Sequence, residues 1–394
     1  MRTRRARRLA ASAAGCALLA AGGAGAHLLV MRQDLPALLA ASDLVAVARI
    51  ERPLGVDPES GRRTPRESYR VRLLRPLAGS LPEERELDVL PHDAAPAYRP
   101  GDRAVLFLQR VAGSRNPGRF TYLLVQDAGH PFVLEPAWAE EVEAHIRAVA
   151  AAAARGLPSA AHRELLLAGL RARAPVLRRD ALAQLLVPDL RARLFPPGAE
   201  GSRAAAPFLE TVDAPDLPVA QRAILLALLA EHAGGGTGAR FRALERAARD
   251  PADLRALAQA AGVLREPAAT SWLAACVRRP ESGALRMRCA AALGRPWHRA
   301  AVPELARVGR DGEPALARAA VRALGGMGGP EAEAALRELA RARGPGRRGQ
   351  IARLAQLELR RLARSRHLAD AAADTPPPDG PLPGQPDRRS RRTP

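Results

Sequence analysis

The side chains that most often carry out catalysis or bind metals are scattered along this 394-residue chain. Its histidines show none of the short spacings, such as H-E-x-x-H, that place two ligands on one face of a helix, and we expect most of them at the surface. The carboxylates Glu140, Glu141 and Glu143 are expected on a solvated helix face, without a paired acid and base. The histidines are His27, His92, His130, His145, His162, His232, His298 and His367.

The glycine-rich stretch at 234–238 could be interpreted as a phosphate-binding loop. A P-loop needs a Lys-Ser/Thr pair after its glycines and a strand before them, and this sequence offers neither. It also has no Gly-x-Ser-x-Gly turn to hold a nucleophilic serine. The sequence therefore predicts no catalytic, cofactor-binding or metal-binding residue and leaves the binding residues unknown. We expect a protein that is not an enzyme.

The chain has three cysteines, of which Cys16 lies in the N-terminal apolar stretch. Cys276 and Cys289 fall in two helical segments on either side of a turn. We predict that they are free thiols on packed helix faces, where unpaired cysteines are commonly buried. A disulfide between them is the alternative, and it requires an oxidising compartment and Cα atoms within about 7 Å of each other.

The chain is strongly basic, with a formal net charge of +20. Such a charge suggests nucleic acid or another anionic partner. All 61 basic residues are arginine, however, and Ala, Gly and Pro are abundant, so a GC-rich genome explains much of the excess. Nucleic-acid recognition also uses clustered aromatic side chains, and aromatic residues make up only 3% of this chain. We therefore expect no nucleic-acid partner.

The N-terminus has the composition of an export signal. Arginines at positions 2 to 8 precede an uncharged run over 9–31, and the small residues at 24–26 suit cleavage. We predict a signal peptide over residues 1–26, or an uncleaved membrane anchor that extends to about residue 31. A lipoprotein signal at Cys16 and a twin-arginine signal match less of their patterns. The predicted location is the periplasm or the cell exterior, with anchoring to the inner membrane if the segment is not cleaved.

Residues 34–135 have the pattern of a small β domain. Apolar residues alternate with arginines at 69–73, and other short apolar runs are separated by Gly, Pro and Asp residues typical of turns. Because an open sheet of so few strands would expose its edges, we predict a small antiparallel β-barrel. The predicted strands are at 44–50, 69–73, 87–89, 104–108, 122–125 and 131–134.

Four segments of this β domain carry a resemblance to a known fold: SDLVAVARI, YRVRLLRPLAGS, PGDRAVLFLQ and YLLVQDAGHPFVL. In that order they resemble the bacterial exported domains related to the netrin and tissue-inhibitor-of-metalloproteinase OB barrels. The resemblance covers residues 34–135 and implies an OB-like fold. In those inhibitors the N-terminal cysteine of the mature protein binds the target's zinc, whereas this chain has no cysteine between His27 and Trp272.

From residue 136 onwards, apolar residues recur with the period of a helix. We predict a connecting helix at 136–158 and a helical array at 159–366. Within the array, three glycines are spaced by 32 and then 31 residues, and we interpret each one as a helix C-cap. A proline follows each glycine in the turn, and a leucine follows eleven residues after it. The repeated positions are Gly262, Gly294, Gly325, Pro267, Pro296, Pro330, Leu273, Leu305 and Leu336.

A period of this length is typical of stacked helical hairpins, which bury their apolar faces against their neighbours. The stretches LRMRCAAALGRPWHRAAVPELARV and LARAAVRALGGMGGPEAEAALRELA resemble HEAT repeats. The resemblance covers 251–342 well and 159–250 weakly, and it implies an α-solenoid whose concave face binds proteins or peptides. Trp272 and Trp297, near helix starts in successive repeats, are expected in the core between repeats.

The sequence as a whole indicates an α+β multidomain protein, with a small antiparallel OB-like barrel followed by a HEAT-type α-solenoid and a disordered Pro/Arg-rich tail at 367–394. Our leading hypothesis is an exported scaffold that binds a protein or peptide in the cell envelope and uses no cofactor. One alternative is an enzyme or chromophore-modifying protein with an unmarked site in the solenoid groove. The other is the binding of anionic polymers through arginine.

Overall fold

The computed structural model describes residues 34–54, 68–91, 98–110, 122–125, 132–233, 236–279, 282–342, 344 and 346–373. The predicted signal segment at 1–26 and the end of the predicted tail, 374–394, lie outside the described residues. The chain divides into two compact units, Met1–Leu217 and Pro218–Pro394. This division falls inside the helical array predicted at 159–366, because the helices before it are grouped with the strands.

Among the described residues of the first unit, five strands form a sheet: β1 (Leu44–Pro53), β2 (Tyr69–Ala78), β3 (Glu86–Pro91), β4 (Arg103–Arg110) and β5 (Tyr122–Leu124). β1 pairs antiparallel with β2 and with β4, and the pairs β2–β3 and β4–β5 are also antiparallel. The hydrogen-bonded order β1-β2-β3-β5-β4 therefore returns to its first strand.

Two details of the sheet differ from the sequence prediction. β3 and β5 are parallel, so the sheet is not wholly antiparallel. This follows from the topology, since β4 pairs with β1 and β5 then fills the position between β4 and β3. The stretch predicted as a last strand contributes only an isolated bridge between Val133 and Ala104.

β1 is buried on both faces, which explains why its apolar run is unbroken. Leu44 and Ile50 belong to an apolar cluster made almost wholly of strand residues, together with Tyr69 of β2. Val45 and Val47, which point the opposite way, belong to a second cluster that the helices complete. The alternation of faces along one strand thus supplies both cores of the first unit.

The helices of the first unit are α1 (Leu35–Ala41), α2 (Ala139–Ala154), α3 (Ser159–Arg171), α4 (Pro175–Leu185), α5 (Pro188–Leu194) and α6 (Ala199–Asp213). α2 occupies the predicted connecting segment, 136–158. α1 starts after Asp34, whose carboxylate accepts a hydrogen bond from the backbone N–H of Ala37 at 2.9 Å. Leu38 of α1 and Ile146 of α2 join the second apolar cluster, and the two helices lie against β4 and β2 respectively.

The helices of the second unit are α7 (Val219–Leu228), α8 (Thr237–Ala247), α9 (Pro251–Val263), α10 (Pro267–Arg278), α11 (Gly283–Ala292), α12 (Val302–Asp311), α13 (Pro314–Met327), α14 (Gly329–Arg341) and α15 (Arg347–Ala373), with short 3₁₀ helices at Ala230–His232 and Pro296–Ala301. They form two layers. In the first layer, α7, α9, α11, α13 and α15 lie side by side in that order. The second layer contains α8, α10, α12 and α14, with the 3₁₀ helix at Pro296–Ala301 between α10 and α12. α15 runs past residue 366, the predicted end of the array.

The three repeat glycines lie at equivalent contacts between first-layer helices, but they are not C-caps. A Cβ atom on Gly262 would lie 3.3 Å from Cα of Ala292, and one on Gly294 would lie 3.1 Å from Cα of Ala323. A Cβ atom on Gly325 would instead meet the side chain of Glu358 on α15, whose Cβ would lie 3.0 Å away. None of the three has the positive φ of a helix-ending glycine. Each glycine is required for the close approach of neighbouring helices, a role that resembles a cap when only the sequence is read.

The repeat leucines are all fully buried, on α10, α12 and α14 of the second layer. The repeat prolines lie in the first turns of α10, the 3₁₀ helix and α14, where the missing N–H leaves no helical hydrogen bond unmade. The register predicted from the sequence is therefore confirmed: each glycine marks a first-layer contact and each leucine a second-layer core position.

Candidate functional site

Within the described ranges, no group of three or more His, Cys, Asp or Glu side chains is placed to hold a metal ion. No helix in the same part of the chain is both long and apolar enough to cross a membrane. The polar and aromatic side chains instead form three arrangements: a buried polar cluster in the first unit, and ion pairs and an exposed tryptophan in the second.

The buried polar cluster of the first unit centres on Asp180 of α4. One of its carboxylate oxygens accepts a hydrogen bond from the backbone N–H of Leu35, and the other accepts one from the side chain of Gln184, both at 2.7 Å. Oε1 of Gln184 lies 2.7 Å from Nε2 of His162. Because Leu35 opens α1, these bonds tie the start of the described chain to α3 and α4.

The ionisation of Asp180 is strongly disfavoured. Burial raises its pKa to about 7, and the charge of Asp34 adds to the rise, while the hydrogen bonds from Leu35 and Gln184 oppose it. Both carboxyl oxygens are already engaged by protein donors. The carboxyl group therefore serves to hold helices together and has no oxygen turned towards a substrate.

A small cavity borders this cluster, lined by His145, His162 and Gln184 among others. It is open on one side and has room for about one water molecule. Burial lowers the pKa of His145, and the nearby charge of Glu141 partly opposes this effect. His162 is also buried, so the expectation of a surface position is wrong for this histidine. The reason is its bond to Gln184, a partner 22 residues away.

Two of the three glutamates predicted on a solvated helix face have partners. Glu143 is buried and forms an ion pair with Arg75 of β2. Glu141 accepts hydrogen bonds from the backbone N–H groups of Arg173 and Ala174, both at 3.1 Å. The prediction is wrong because these partners come from a strand and from an inter-helix turn that are distant in the sequence.

Arginine–glutamate ion pairs join successive helices of the second layer. Arg278 of α10 lies 3.3 Å from Glu304 of α12, which also binds Arg307 at 2.6 Å. Arg310 of α12 lies 2.5 Å from Glu338 of α14. Burial alone would raise the pKa of Glu304, but the hydrogen bonds from Arg307 and Arg278 outweigh it and lower the pKa. These three arginines of the second layer are thus neutralised by carboxylates of the same layer.

The two tryptophans of the repeats differ in exposure. Trp272 is 5% exposed and packs edge-on against Phe241 with ring centroids 5.8 Å apart, as the predicted core position requires. Trp297 is 36% exposed, and Cζ of Arg265 lies 5.2 Å from its ring centroid. The core prediction is wrong for Trp297 because the 3₁₀ helix turns its neighbour His298 inward and leaves the indole outside.

His298 is fully buried, although most histidines were expected at the surface. Its Nδ1 lies 2.6 Å from Oγ1 of Thr270 on α10. Burial lowers its pKa, an effect that the carbonyl groups of Gly262 and Ala261 oppose and the charge of Arg295 assists. Nε2 makes no hydrogen bond of normal geometry. The imidazole therefore joins neighbouring repeats as a neutral, packed group.

Cys276 of α10 and Cys289 of α11 form a disulfide, with Cα atoms 6.2 Å apart. The prediction of free thiols is thus wrong. The two cysteines are buried on helices that pack side by side, so the intervening turn brings them within bridging distance. The sequence predicts that the two cysteines lie on two helices, but the distance between those helices cannot be predicted from it.

A family model for HEAT repeats matches residues 271–356, which run from α10 into α15. This stretch contains both bridged cysteines, Trp297 and the ion pairs of the second layer. No curated protein matches the chain. The family match and the two layers of paired helices fit a HEAT-type solenoid in the second unit.

Proposed function

We propose that this protein is a non-enzymatic scaffold whose HEAT-type helical array binds another protein. HEAT repeats are in general protein-interaction scaffolds, and residues 271–356 match them. Stacked helical pairs suit this role because successive repeats present the same positions along a continuous surface. The proposal therefore places binding on the second unit and assigns it no chemical step.

The observation that carries this proposal is the exposed Trp297. Tryptophan is among the residues that contribute most to protein–protein binding, and a large indole gains most when a partner covers it. Arg265 stacks on the ring from the preceding inter-helix turn, so the indole is already oriented before binding. Arg295 and Arg299 are exposed on either side of Trp297 in the chain and would form a polar rim.

Site-specific photo-crosslinking tests the binding surface. A photoreactive phenylalanine analogue at position 297, in the full chain expressed in its native host, should give one recurrent protein adduct by mass spectrometry. The same analogue at Ala334, an exposed position on α14, is the matched control. We expect the adduct at position 297 and a much weaker one at position 334. Adducts of equal yield at both positions, or none at either, would contradict the proposed surface.

A substitution sharpens the same test. In a separate co-purification of the partner that the crosslink identifies, Trp297→Ala removes the anchor from an otherwise native chain, and we expect recovery of that partner to fall at least about tenfold, as for a central interface tryptophan. Ser271→Ala changes an exposed side chain on α10 and should leave recovery unchanged. Because both side chains are exposed, the two variants should melt at the temperature of the wild type. Thermal unfolding therefore shows whether a loss of binding reflects a loss of folding.

We also propose that the protein works outside the cytoplasm, in the periplasm or beyond. Two features support this: the basic and then apolar N-terminal segment with its small-residue cleavage site, and the disulfide between Cys276 and Cys289, a bond typical of oxidising compartments. Cell fractionation and N-terminal sequencing test the location. Cleavage should yield a chain that begins at His27, whereas an uncleaved anchor should yield an intact N-terminus in the membrane fraction. Recovery in the cytoplasm with reduced cysteines would overturn the proposal.

We further propose that the strands of the first unit form an OB-like barrel of the kind seen in netrin-related exported domains. The strand order β1-β2-β3-β5-β4, with a parallel β3–β5 pair, supports this assignment. An experimental structure of the first unit within the full chain tests it. A sheet in which β1 and β4 are unpaired would contradict it.

A further inference from the structure

The exposed surface of the first layer in the second unit carries four arginines, on α9, α13 and α15. The repeat glycines define its register, because Ala292, Ala323 and Glu358 are the residues that face them from the next helix. In this register one row of exposed residues runs across α9, α11, α13 and α15, and a second row lies beside it. The first row is Arg255, Met287, Arg318 and Arg353, and the second is Gln259, Ala291, Arg322 and Leu357. We call these eight residues the arginine face.

The arginines of this face have no carboxylate partner among the described residues. Asp253 of α9 accepts hydrogen bonds from the backbone N–H groups of Ala220 and Arg249, at 3.1 and 3.2 Å. α11 and α13 contain no acidic residue. Glu358, an acidic residue of α15, is buried against α13. The unit therefore segregates its carboxylates: those of the second layer pair with nearby arginines, whereas the four arginines of this face have no described carboxylate beside them.

This segregation is not explained by a GC-rich genome. Codon usage supplies arginine all along the chain, but it does not remove acidic residues from one face of a helical array. Exposed apolar side chains interrupt the same rows, with Met287 38% and Leu357 59% exposed. A surface of this kind is complementary to carboxylates flanked by apolar groups, and arginine's planar fork matches carboxylate geometry.

We propose that the arginine face binds an acidic segment of the partner protein, one in which glutamates or aspartates are interspersed with apolar residues. This inference rests on the proposed scaffold function and names the chemistry of its partner. First-layer helices are about 8–10 Å apart, so the four helices span roughly 30 Å. An extended segment covers that distance with about nine residues, at about 3.3 Å per residue.

Two other anionic partners fit the face less well. Single-stranded nucleic acid is bound by combining charge with aromatic stacking, and the four helices contain no aromatic residue. A membrane surface is bound by helices that carry a broad apolar face below the charges. Here the apolar contribution is one methionine and one leucine, each isolated between polar neighbours.

Fluorescence anisotropy with a defined probe tests the proposal. The probe is a fluorescein-labelled 12-residue peptide in which glutamates alternate with alanine and leucine, titrated with the full chain at two salt concentrations. The test variant carries Arg255→Gln, Arg318→Gln, Arg322→Gln and Arg353→Gln. The control variant loses the same charge from exposed arginines elsewhere in the second unit, through Arg242→Gln, Arg246→Gln, Arg249→Gln and Arg341→Gln.

We expect the wild type to bind the probe, with an affinity that falls as salt increases. The test variant should lose at least about tenfold in affinity, since four exposed arginine–carboxylate contacts contribute up to about 1 kcal/mol each. The control variant should lose no more than about threefold. Equal losses in both variants would show a mere response to net charge and would overturn the proposal, as would a wild type that does not bind the probe.

Vesicles with and without anionic phospholipid form a further arm of the experiment. Binding to anionic vesicles without binding to the peptide would overturn the proposal in favour of a membrane surface.

If the quadruple variant melts at a lower temperature than wild type, the double variant Arg318→Gln with Arg322→Gln replaces it. We expect this variant to show about half of the loss in the logarithm of the affinity. The crosslink at position 297 is read separately: if that adduct forms while the peptide neither binds nor competes, this inference fails and the scaffold function stands.

Discussion

The two compact units bury their chain by different means. The first unit closes its strand pairing through β1, which has partners on both sides, and fastens its helices with a polar cluster around Asp180. The second unit repeats one contact: a glycine near the end of one first-layer helix lets the next helix approach within van der Waals distance. Each ion pair described in this unit has at least one exposed partner. The stability of the first unit therefore depends on a single polar cluster and one closed set of strand pairs, whereas that of the second unit depends on a small helix contact that recurs.

This difference predicts different sensitivities. A buried carboxylic acid makes the first unit respond to pH, because the folded and unfolded states bind different numbers of protons. Close helix contacts make the second unit respond to single added atoms, because its interior has no space in which to place them. Each prediction below tests one side of this comparison.

The largest effect is expected from the pH dependence that Asp180 confers. Its pKa is about 7 when folded and close to 3.8 when unfolded, so only the unfolded chain loses the proton between these values. Stability should therefore fall as pH rises from about 4 to 7 and change little above. At about 1.4 kcal/mol per pKa unit, the loss is up to roughly 4 kcal/mol. Asp180→Asn removes the ionisable group. The free energy of unfolding of the variant, relative to that of the wild type, should therefore rise by roughly 4 kcal/mol between pH 4 and pH 8.

Urea unfolding followed by circular dichroism measures this difference at each pH. The amide of Gln184 must turn over to meet the new Asn, and His162 can adapt by changing tautomer; that cost is the same at both pH values and cancels. Asp216→Asn, at an exposed position of the same unit, is the control and should show no such change. A constant difference between Asp180→Asn and wild type across the pH range would show that the carboxyl group is not buried.

The next largest effect concerns the disulfide of the second unit. It closes a loop with a sequence separation of 13 residues, and removing such a loop constraint costs about 3 kcal/mol. Replacing Cys276 and Cys289 with alanine should lower the melting temperature by roughly 6–12 °C. A thiol reductant should lower that of the wild type similarly and leave the double variant unchanged. A wild type that melts at one temperature with and without reductant would restore the free-thiol prediction.

A smaller effect is expected from a single methyl group at a repeat glycine. In Gly294→Ala the new Cβ would lie 3.1 Å from the carbonyl oxygen of Ala291 and from Cα of Ala323, and neither backbone atom can move aside easily. We expect a loss of about 1–2 kcal/mol, since overpacking outweighs the entropy gained by replacing glycine. Gly283→Ala is the matched control, because nothing lies within 4 Å of its Cβ position, and it should be neutral or stabilising. Equal shifts of the melting temperature in the two variants would contradict the glycine contact.

The second unit was the more predictable from sequence because its glycine contacts recur at a regular spacing. Gly262, Gly294 and Gly325 share a spacing, and the buried leucines follow from the same register. The role of these glycines was not predictable, since a glycine that ends a helix and one that admits a neighbouring helix occupy the same place near a helix C-terminus. The cysteine pairing depends on a distance between helices that the register does not give.

The polar cluster of the first unit could not be predicted by comparable reasoning. Asp180 bonds to the backbone of Leu35, which is 145 residues away. Glu143 meets an arginine 68 residues away on a strand. Pairs at this separation leave no periodic trace in the sequence, and the spacing from Asp180 to Gln184 resembles any pair on one helix face. The exposed Trp297 was missed for a local reason, since a 3₁₀ segment does not follow the helical period that predicted a core position.

The smallest effect is expected from Glu304 in the second layer, and its direction completes the comparison. Contacts with Arg278 and Arg307 lower its pKa despite partial burial, so its contribution is present above the ordinary carboxyl pKa and is lost as pH falls through the lowered value. Because both arginines are about half exposed, Glu304→Gln should cost no more than about 1 kcal/mol at neutral pH, less at high salt. Glu245→Gln, at an exposed position on α8, serves as the control in the same urea titration.

The two acids should thus act oppositely: acidification favours the folded state through Asp180 and disfavours it through Glu304. A Glu304→Gln variant whose deficit persists undiminished below pH 4 would show that the arginine pairs are not its cause.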